Sequence, residues 1–265
     1  MMQYAYSFPK LIVYHSSFER VVHAAHSDTF WEPKERRIEE RIEEVWREKE
    51  KNPNVWNGRL VRLDSSLQTN RQLCIRTSLT DYRHHCGTRD IPNQDERANP
   101  IYVLATVLTS DNKLAFGLRE NTDNHNGRFN VYGGAVDPLE DMADGHPSLI
   151  SALRRELQEE LGIKKEDIGR ITPYMVIGID SVNPNFTPNF HYTVRINLNS
   201  PDLSRAFETH IRAMERYGEL PEMIDLKLVA DEQEAVMDEI QFKGGDYTDI
   251  ALAILMQKAG ITHTQ

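Results

Sequence analysis

The stretch Ala152–Ile163, ALRRELQEELGI, restricts what this chain can fold into more than any other, because it reads as a short helix with three acids on one flank and a glycine stop. At about 100° per residue, Glu156, Glu159 and Glu160 fall within an arc of about 100°. Leu149, Ile150, Leu153, Leu157 and Leu161 form the adjoining apolar stripe. The stripe packs inward and leaves the acids at its edge. Gly162 suits the position just past a helix end, where φ is often positive. Like charges at i, i+3 and i+4 repel by roughly 0.2–0.5 kcal/mol per pair. A hard divalent cation with oxygen ligands removes that cost, and Mg²⁺ is the ordinary choice. The bland alternative is a solvated acidic face with an amphipathic back, which describes most charge-rich helices. What precedes the helix decides between them.

The second half of this stretch resembles the Nudix box, G-x5-E-x7-R-E-U-x-E-E-x-G-U with U a bulky aliphatic residue. The matching residues are Arg155, Glu156, Leu157, Glu159, Glu160, Gly162 and Ile163, with Gly134 and Glu140 upstream. One spacing departs from the pattern: fourteen residues, Asp141 to Arg154, separate Glu140 from Arg155 where the family has seven. Gly145 and Pro147 place the extra residues in a loop rather than in a longer helix, and that loop is expected to be dispensable for chemistry. The resemblance implies that Glu156, Glu159 and Glu160 hold Mg²⁺, with Mn²⁺ as a substitute. It also implies that the Gly133 carbonyl joins the metal shell and that Glu140 braces Arg155. By its helical angle Arg155 points away from the carboxylate arc and takes an orienting role.

Composition limits the partners. A formal net charge of −10 argues against non-specific binding to nucleic acid or to an anionic membrane surface. Cys74 and Cys86 form no disulfide framework, no stretch approaches about 18 apolar residues, and the first twenty residues lack a basic and then apolar export pattern. A cytoplasmic protein is expected, with a homodimer left open.

Along the chain, Phe8–Tyr14 reads as a strand. A helix follows with Pro33 in its first turn and ends at Asn52–Pro53. Strands are expected over Leu60–Leu63 and Leu73–Thr77. The polar stretch Ile91–Pro100 marks a boundary. The expectation is an amino-terminal α+β substrate-recognition region over residues 1–98 and a catalytic region over 99–265. In the second region, strands are expected from Ile101 to Thr109, from Lys113 to Arg119 and up to Gly133–Gly134. After the box come strands over Ile171–Asp180 and Phe190–Leu198, joined by a loop over 181–189. A helix Asp202–Tyr217, a strand Ile224–Ala230 and two further helices complete the chain, the last amphipathic and closed by Gly260. This alternation, with the box, implies a Nudix α/β/α sandwich around a mixed sheet.

The fragments NPNVWNGRLVRL and TSLTDYRHHCGTRD look like the amino-terminal region of a Nudix branch that hydrolyses UDP-glucose and UDP-galactose. On that resemblance Tyr82 stacks on a base and Arg83 pairs with a phosphate. The ordinary alternative is a tyrosine at a domain seam and an exposed arginine. His84 and His85 beside Cys86 lack a tetrahedral ligand set, and adjacent residues on a strand cannot face one zinc ion. Two function classes follow: a metal-dependent hydrolase of a nucleoside diphosphate linked to another group, with UDP-sugar ahead of ADP-ribose or a dinucleotide, and a non-catalytic nucleotide sensor. The intact acid set favours the hydrolase. Glu219 and Glu222 are the weak candidates for the deprotonating group.

Overall fold

The computed structural model describes residues 9–53, 55–122, 125–180 and 184–261. Phe8, Asn54 and residues 181–183 of the expected 181–189 loop lie outside them. The elements begin with β1 (Lys10–Ser16), β2 (Arg20–Phe30), α1 (Arg36–Lys49), β3 (Arg59–Thr69), β4 (Gln72–Asp81) and α2 (Tyr82–Thr88). Next come β5 (Tyr102–Leu108), β6 (Lys113–Arg119), β7 (Phe129–Asn130), β8 (Met142–Ala143), β9 (His146–Pro147) and α3 (Leu149–Leu161). The chain ends with β10 (Ile168–Asp180), β11 (Asn185–Ile196), α4 (Ser200–Tyr217), β12 (Met223–Ala230), α5 (Gln233–Lys243) and α6 (Asp249–Lys258).

Among the described residues the main sheet has seven strands in the order β1-β10-β11-β5-β6-β12, with β7 beside β6. It is mixed: β11 and β5 run parallel and the other pairs antiparallel. Both faces are covered. Val103, Ala105 and Val107 of β5 pack with Leu153 and Leu157 of α3 and with Leu203 and Phe207 of α4. The alternate residues Leu104 and Leu108 pack with Val236 and Ile240 of α5 and with Leu252 and Leu255 of α6. Period-2 alternation with two apolar faces is what a strand between two helical layers requires. The fold is therefore an α/β/α sandwich around a mixed sheet.

Several boundaries differ from expectation. Pro33 precedes the first helical residue of α1, and β2 was not foreseen because VVHAAHSDT alternates only weakly in polarity. Residues Tyr82–Thr88 are helical, not extended: Asp81 caps α2 by accepting from the His84 backbone N–H at 2.8 Å, and its side chain also meets His84 Nδ1 at 2.6 Å. The expected amphipathic α6 is instead apolar nearly all round, with Ala251 to Met256 buried, because it lies between α5 and the sheet.

The stretches on either side of residue 98 are in close contact. β1 is an edge strand of the main sheet, and β2, β4 and β3 form a second sheet whose Val61, Leu63, Leu73 and Ile75 share one core with Ile101 and Val103. Backbone bonds cross the same seam, from Ile101 N–H to the Val61 carbonyl and from Leu63 N–H to that of Asn99. No helix among the described residues is long and apolar enough to cross a membrane.

One buried side chain links the sheet to pH. His191 of β11 is 1% exposed and sits 2.7 Å from Thr106 Oγ1, and burial, with a smaller contribution from Lys258, lowers its pKa to about 3. The unfolded chain takes up this proton near pH 6.5. The folded state refuses it until about pH 3, so stability is greatest above pH 6.5 and falls as the pH drops through that window. Its share of the slope is about 1.4 kcal/mol per pH unit. Urea midpoints of wild type and His191→Gln, measured from pH 7 to 4, are expected to converge on acidification. Parallel curves would remove this residue as a cause.

Candidate active site

The site is built where the Tyr132–Ala135 turn passes the amino-terminal half of β5 and faces α3. The Tyr132 and Gly134 carbonyls accept from the Ala105 and Val103 N–H groups at 2.7 and 2.9 Å, which holds the turn along the strand. Gly133 has φ 137°, a conformation that side chains rarely adopt, and a Cβ there would collide with the Val103 carbonyl. A Cβ on Gly134 would collide with the Glu156 carboxylate. The glycine pair thus lets α3 bring its acids up to bare backbone. Ser148 caps the helix by accepting from Ser151 N–H, and Gly162 closes it at φ 68°.

Two carboxylates converge here. Glu160 is 5% exposed and accepts from the Gly133 N–H at 2.7 Å. Burial raises its pKa well above the usual carboxylate value, and the nearby Glu156 pushes in the same direction while Arg119 and the Gly133 bond oppose. Burial likewise lifts Glu156 to about 7, against the pull of Arg155. The pair resists full ionisation, as two acids sharing one desolvated place must. Glu159 does not join them: its side chain is half exposed and accepts from Arg155 Nη1 at 2.9 Å.

Arg155 points into the carboxylate group rather than away from it, contrary to its helical angle, because its long stem lets the guanidinium fold back. It lies 2.9 Å from both Glu156 and Glu159, and Nη2 donates to the Ala135 carbonyl at 3.1 Å. Its brace is also not the expected one. Asp141, 1% exposed, receives both Nε at 3.2 Å and Nη2 at 2.9 Å, whereas Glu140 is 65% exposed and 3.8 Å away. Burial opposes the arginine's charge, and Asp141, Glu156 and Glu159 more than offset it, so its pKa rises. The inserted residues are a hairpin, not an open loop. β8 pairs with β9 across Asp144–Gly145, whose φ values of 51° and 76° suit a two-residue turn, and His146 stacks with His23 of β2 at 6.1 Å. The expected loop, Asp141–Pro147, thus begins with the residue that fixes Arg155, so removing it as a block would remove that contact.

Other groups reach the site from elsewhere in the chain. Tyr102 lies within the fields of Arg89, Glu156 and Arg119, and burial foremost raises its pKa. Arg119, at the end of β6, acts on Glu160 and stands 3.8 Å from Glu222. Glu222 in turn acts on both Glu156 and Glu160, while Glu219 is exposed in the turn after α4. Arg89 lies within the TSLTDYRHHCGTRD fragment but had no role assigned to it, and Arg119 as a cation closing an apolar strand is a weak signal. Asp141 was hidden by the adjacent Glu140, which holds the motif position.

The two expected substrate residues fare differently. Tyr82 packs between Trp46 at 6.4 Å and His85 at 5.9 Å, and His85 is 5.4 Å from Tyr102, so a row of rings runs from α1 through α2 to β5. Arg83 turns to α1 and pairs with Glu43 at 2.7 Å. Part of the Asn57–Gly58 fragment serves to cap α2: Asn57 accepts from the Arg83 N–H and donates to Asp81, and the Gly58 carbonyl accepts from the Tyr82 N–H.

Among the described residues no three His, Cys, Asp or Glu side chains converge closely enough to hold a metal ion. Glu156 and Glu160 lie against the Gly133–Gly134 backbone and repel each other in a buried place, and no described donor reaches the Gly133 carbonyl. Such a set of hard oxygens fits a divalent cation of the Mg²⁺ or Mn²⁺ kind.

No family model and no curated protein matches this chain. It is similar to solved structures described as a MutT protein from Methanosarcina mazei Go1 (16% identity, TM-score 0.34, covering 60% of this chain and 93% of that one). Others are a Nudix hydrolase from Nitrosomonas europaea (14%, TM-score 0.34, 60% and 87%) and a Nudix-family hydrolase from Clostridium perfringens (14%, TM-score 0.33, 62% and 97%).

Proposed function

We propose that this chain is a Nudix-type pyrophosphohydrolase that cleaves the diphosphate of a nucleoside diphosphate linked to another group. The observation that carries this reading is the gathering of Glu156 and Glu160 against the Gly133–Gly134 backbone, beside an Arg155 pinned by Asp141. Glu156, Glu160 and the Gly133 carbonyl would hold Mg²⁺ or Mn²⁺, with Glu159 available at the rim. When bound, the cation neutralises the diphosphate and acidifies a water for attack at phosphorus. The protein supplies the rest. Arg119 and Arg89 meet phosphate oxygens, Arg155 keeps Glu156 and Glu159 oriented, and Glu222 can accept a proton from the attacking water at a carboxylate oxygen.

The leading substrate is UDP-glucose or UDP-galactose, giving UMP and a sugar 1-phosphate. Support comes from the two amino-terminal fragments, within which Tyr82 sits in a row of rings between Trp46 and His85. Residues 1–98 would then form the part that recognises the nucleotide sugar. Hydrolysis at the glycosidic bond would need two carboxylates flanking an anomeric carbon, and the paired acids here face a glycine turn instead.

Incubation with UDP-glucose, ADP-ribose and diadenosine polyphosphates, with and without Mg²⁺ and in ¹⁸O-water, is expected to give labelled UMP or sugar phosphate only with metal. Tyr82→Ala should weaken the UDP-glucose reaction by about 1–3 kcal/mol, and Arg119→Ala by about 1.5–3 kcal/mol, mainly in KM. UDP plus free glucose, or a clear preference for ADP-ribose, would discard the UDP-sugar assignment.

A further inference from the structure

A second polar cavity, of about 120 Å³, lies between the amino-terminal sheet and the start of β11. Tyr14, His15, Ser66, Arg97, Phe186 and Pro188 are among its walls. Arg97 is 5% exposed. Its Nη1 donates to the Phe186 carbonyl at 2.6 Å, its guanidinium lies 5.5 Å from the Phe186 ring, and its Nε is buried with no acceptor. Among the described residues no carboxylate lies within 4.0 Å of it. Three other partly buried arginines have one: Arg62 meets Asp64, Arg119 meets Glu222 and Arg155 meets Asp141.

This difference has a physical consequence. A guanidinium cannot shed its proton to escape burial, so its desolvation must be met by a negative partner or left as a standing cost. A carbonyl, the Tyr14 hydroxyl 3.5 Å from Nη1 and a ring face supply partial charge only. The cavity beside it has further polar atoms, since His15 Nε2 and Ser66 Oγ, 2.7 Å apart, both belong to its lining residues. Its size is restrictive. A water takes up about 30 Å³ in the liquid, so there is room for one small group, whereas nucleotide-sized ligands need roughly 300 Å³ or more.

We propose that this cavity is a binding site for a small oxyanion, a phosphate or a carboxylate group, with Arg97 as its cation and Ser66 and His15 as neutral partners. The site is distinct from the acids of α3. It is also linked to α2's end: the Phe186 N–H donates to the Arg89 carbonyl at 3.0 Å. An anion held by Arg97 would fix Phe186 and, through it, the backbone of Arg89.

Thermal unfolding of the full chain in inorganic phosphate or in acetate, each at matched ionic strength, tests this. Wild type is expected to show a saturable rise in Tm with one of the two, phosphate assigning a phosphate site and acetate a carboxylate site. Arg97→Gln should weaken the apparent affinity by about tenfold or more, while Arg119→Gln, at the catalytic mouth, should keep the response. In anion-free buffer Arg97→Gln should be no less stable than wild type, because it removes an uncompensated charge. Should Arg97→Gln fail to fold, Ser66→Leu, which fills the cavity and keeps the arginine, is expected to lose the response. The proposal is overturned if neither anion gives a saturable shift, or if the shift persists unchanged in Arg97→Gln or Ser66→Leu.

Discussion

Glu160→Gln is expected to lower Mg²⁺-dependent turnover by a factor on the order of 10² or more and, at the same time, to raise the melting temperature of the metal-free protein. The two effects have one origin. Glu160 is almost fully buried, receives a single backbone N–H, and is forced to share its surroundings with Glu156. An amide of the same shape keeps an acceptor for the Gly133 N–H and removes the repulsion, so the apoprotein gains. The same amide is a poor ligand for a hard cation, so the proposed chemistry is lost. Glu156→Gln should follow the same pattern less strongly, because it also gives up a charged contact with Arg155. Melting curves with and without Mg²⁺, paired with turnover, give the readout. A variant that is less stable without metal, or that keeps near wild-type turnover, would show that this pair is not where the cation belongs.

Asp141→Asn is expected to destabilise the fold by about 3 kcal/mol, roughly 6–12 °C in Tm. Glu140→Gln should change stability by less than about 0.5 kcal/mol. Asp141 is buried and receives two bonds from Arg155, and losing its charge leaves the guanidinium with partners that are themselves needed at the site. Glu140 is mostly exposed, and a pair at 3.8 Å in water contributes little. Turnover should follow stability, falling in Asp141→Asn, since a freed Arg155 no longer holds Glu156 and Glu159 in place. Equal sensitivity at both positions, or a greater loss at Glu140, would restore the role that motif spacing assigned to Glu140.

These two residues also show how far the chain could be read as text. The acidic helix, its glycine stop, the glycine turn before it and most of the longer strands and helices were legible, because each depends on local periodicity and on backbone demands that a few neighbours express, whereas β2, α2 and the β8–β9 hairpin were not. The α/β/α layering followed from those periodicities together with the resemblance to the Nudix box. The division of labour inside the acidic group was not legible. Helical angle placed Glu159 with Glu156 and Glu160 and turned Arg155 away, but a guanidinium on a flexible stem goes where buried charge draws it, and that is set by Asp141 across an inserted hairpin.

The sequence by itself determined that α3 would carry acids beside an apolar stripe and meet a glycine turn, since a helix repeat and a missing Cβ are properties of a dozen adjacent residues. Only the tertiary structure decided which acids are desolvated, which aspartate braces Arg155, that Arg119 and Glu222 stand at the same mouth, and that Arg83 is claimed by Glu43. The physical reason is that charge interactions depend on burial and on separations of a few ångströms between residues far apart in the chain, and neither is written in spacing.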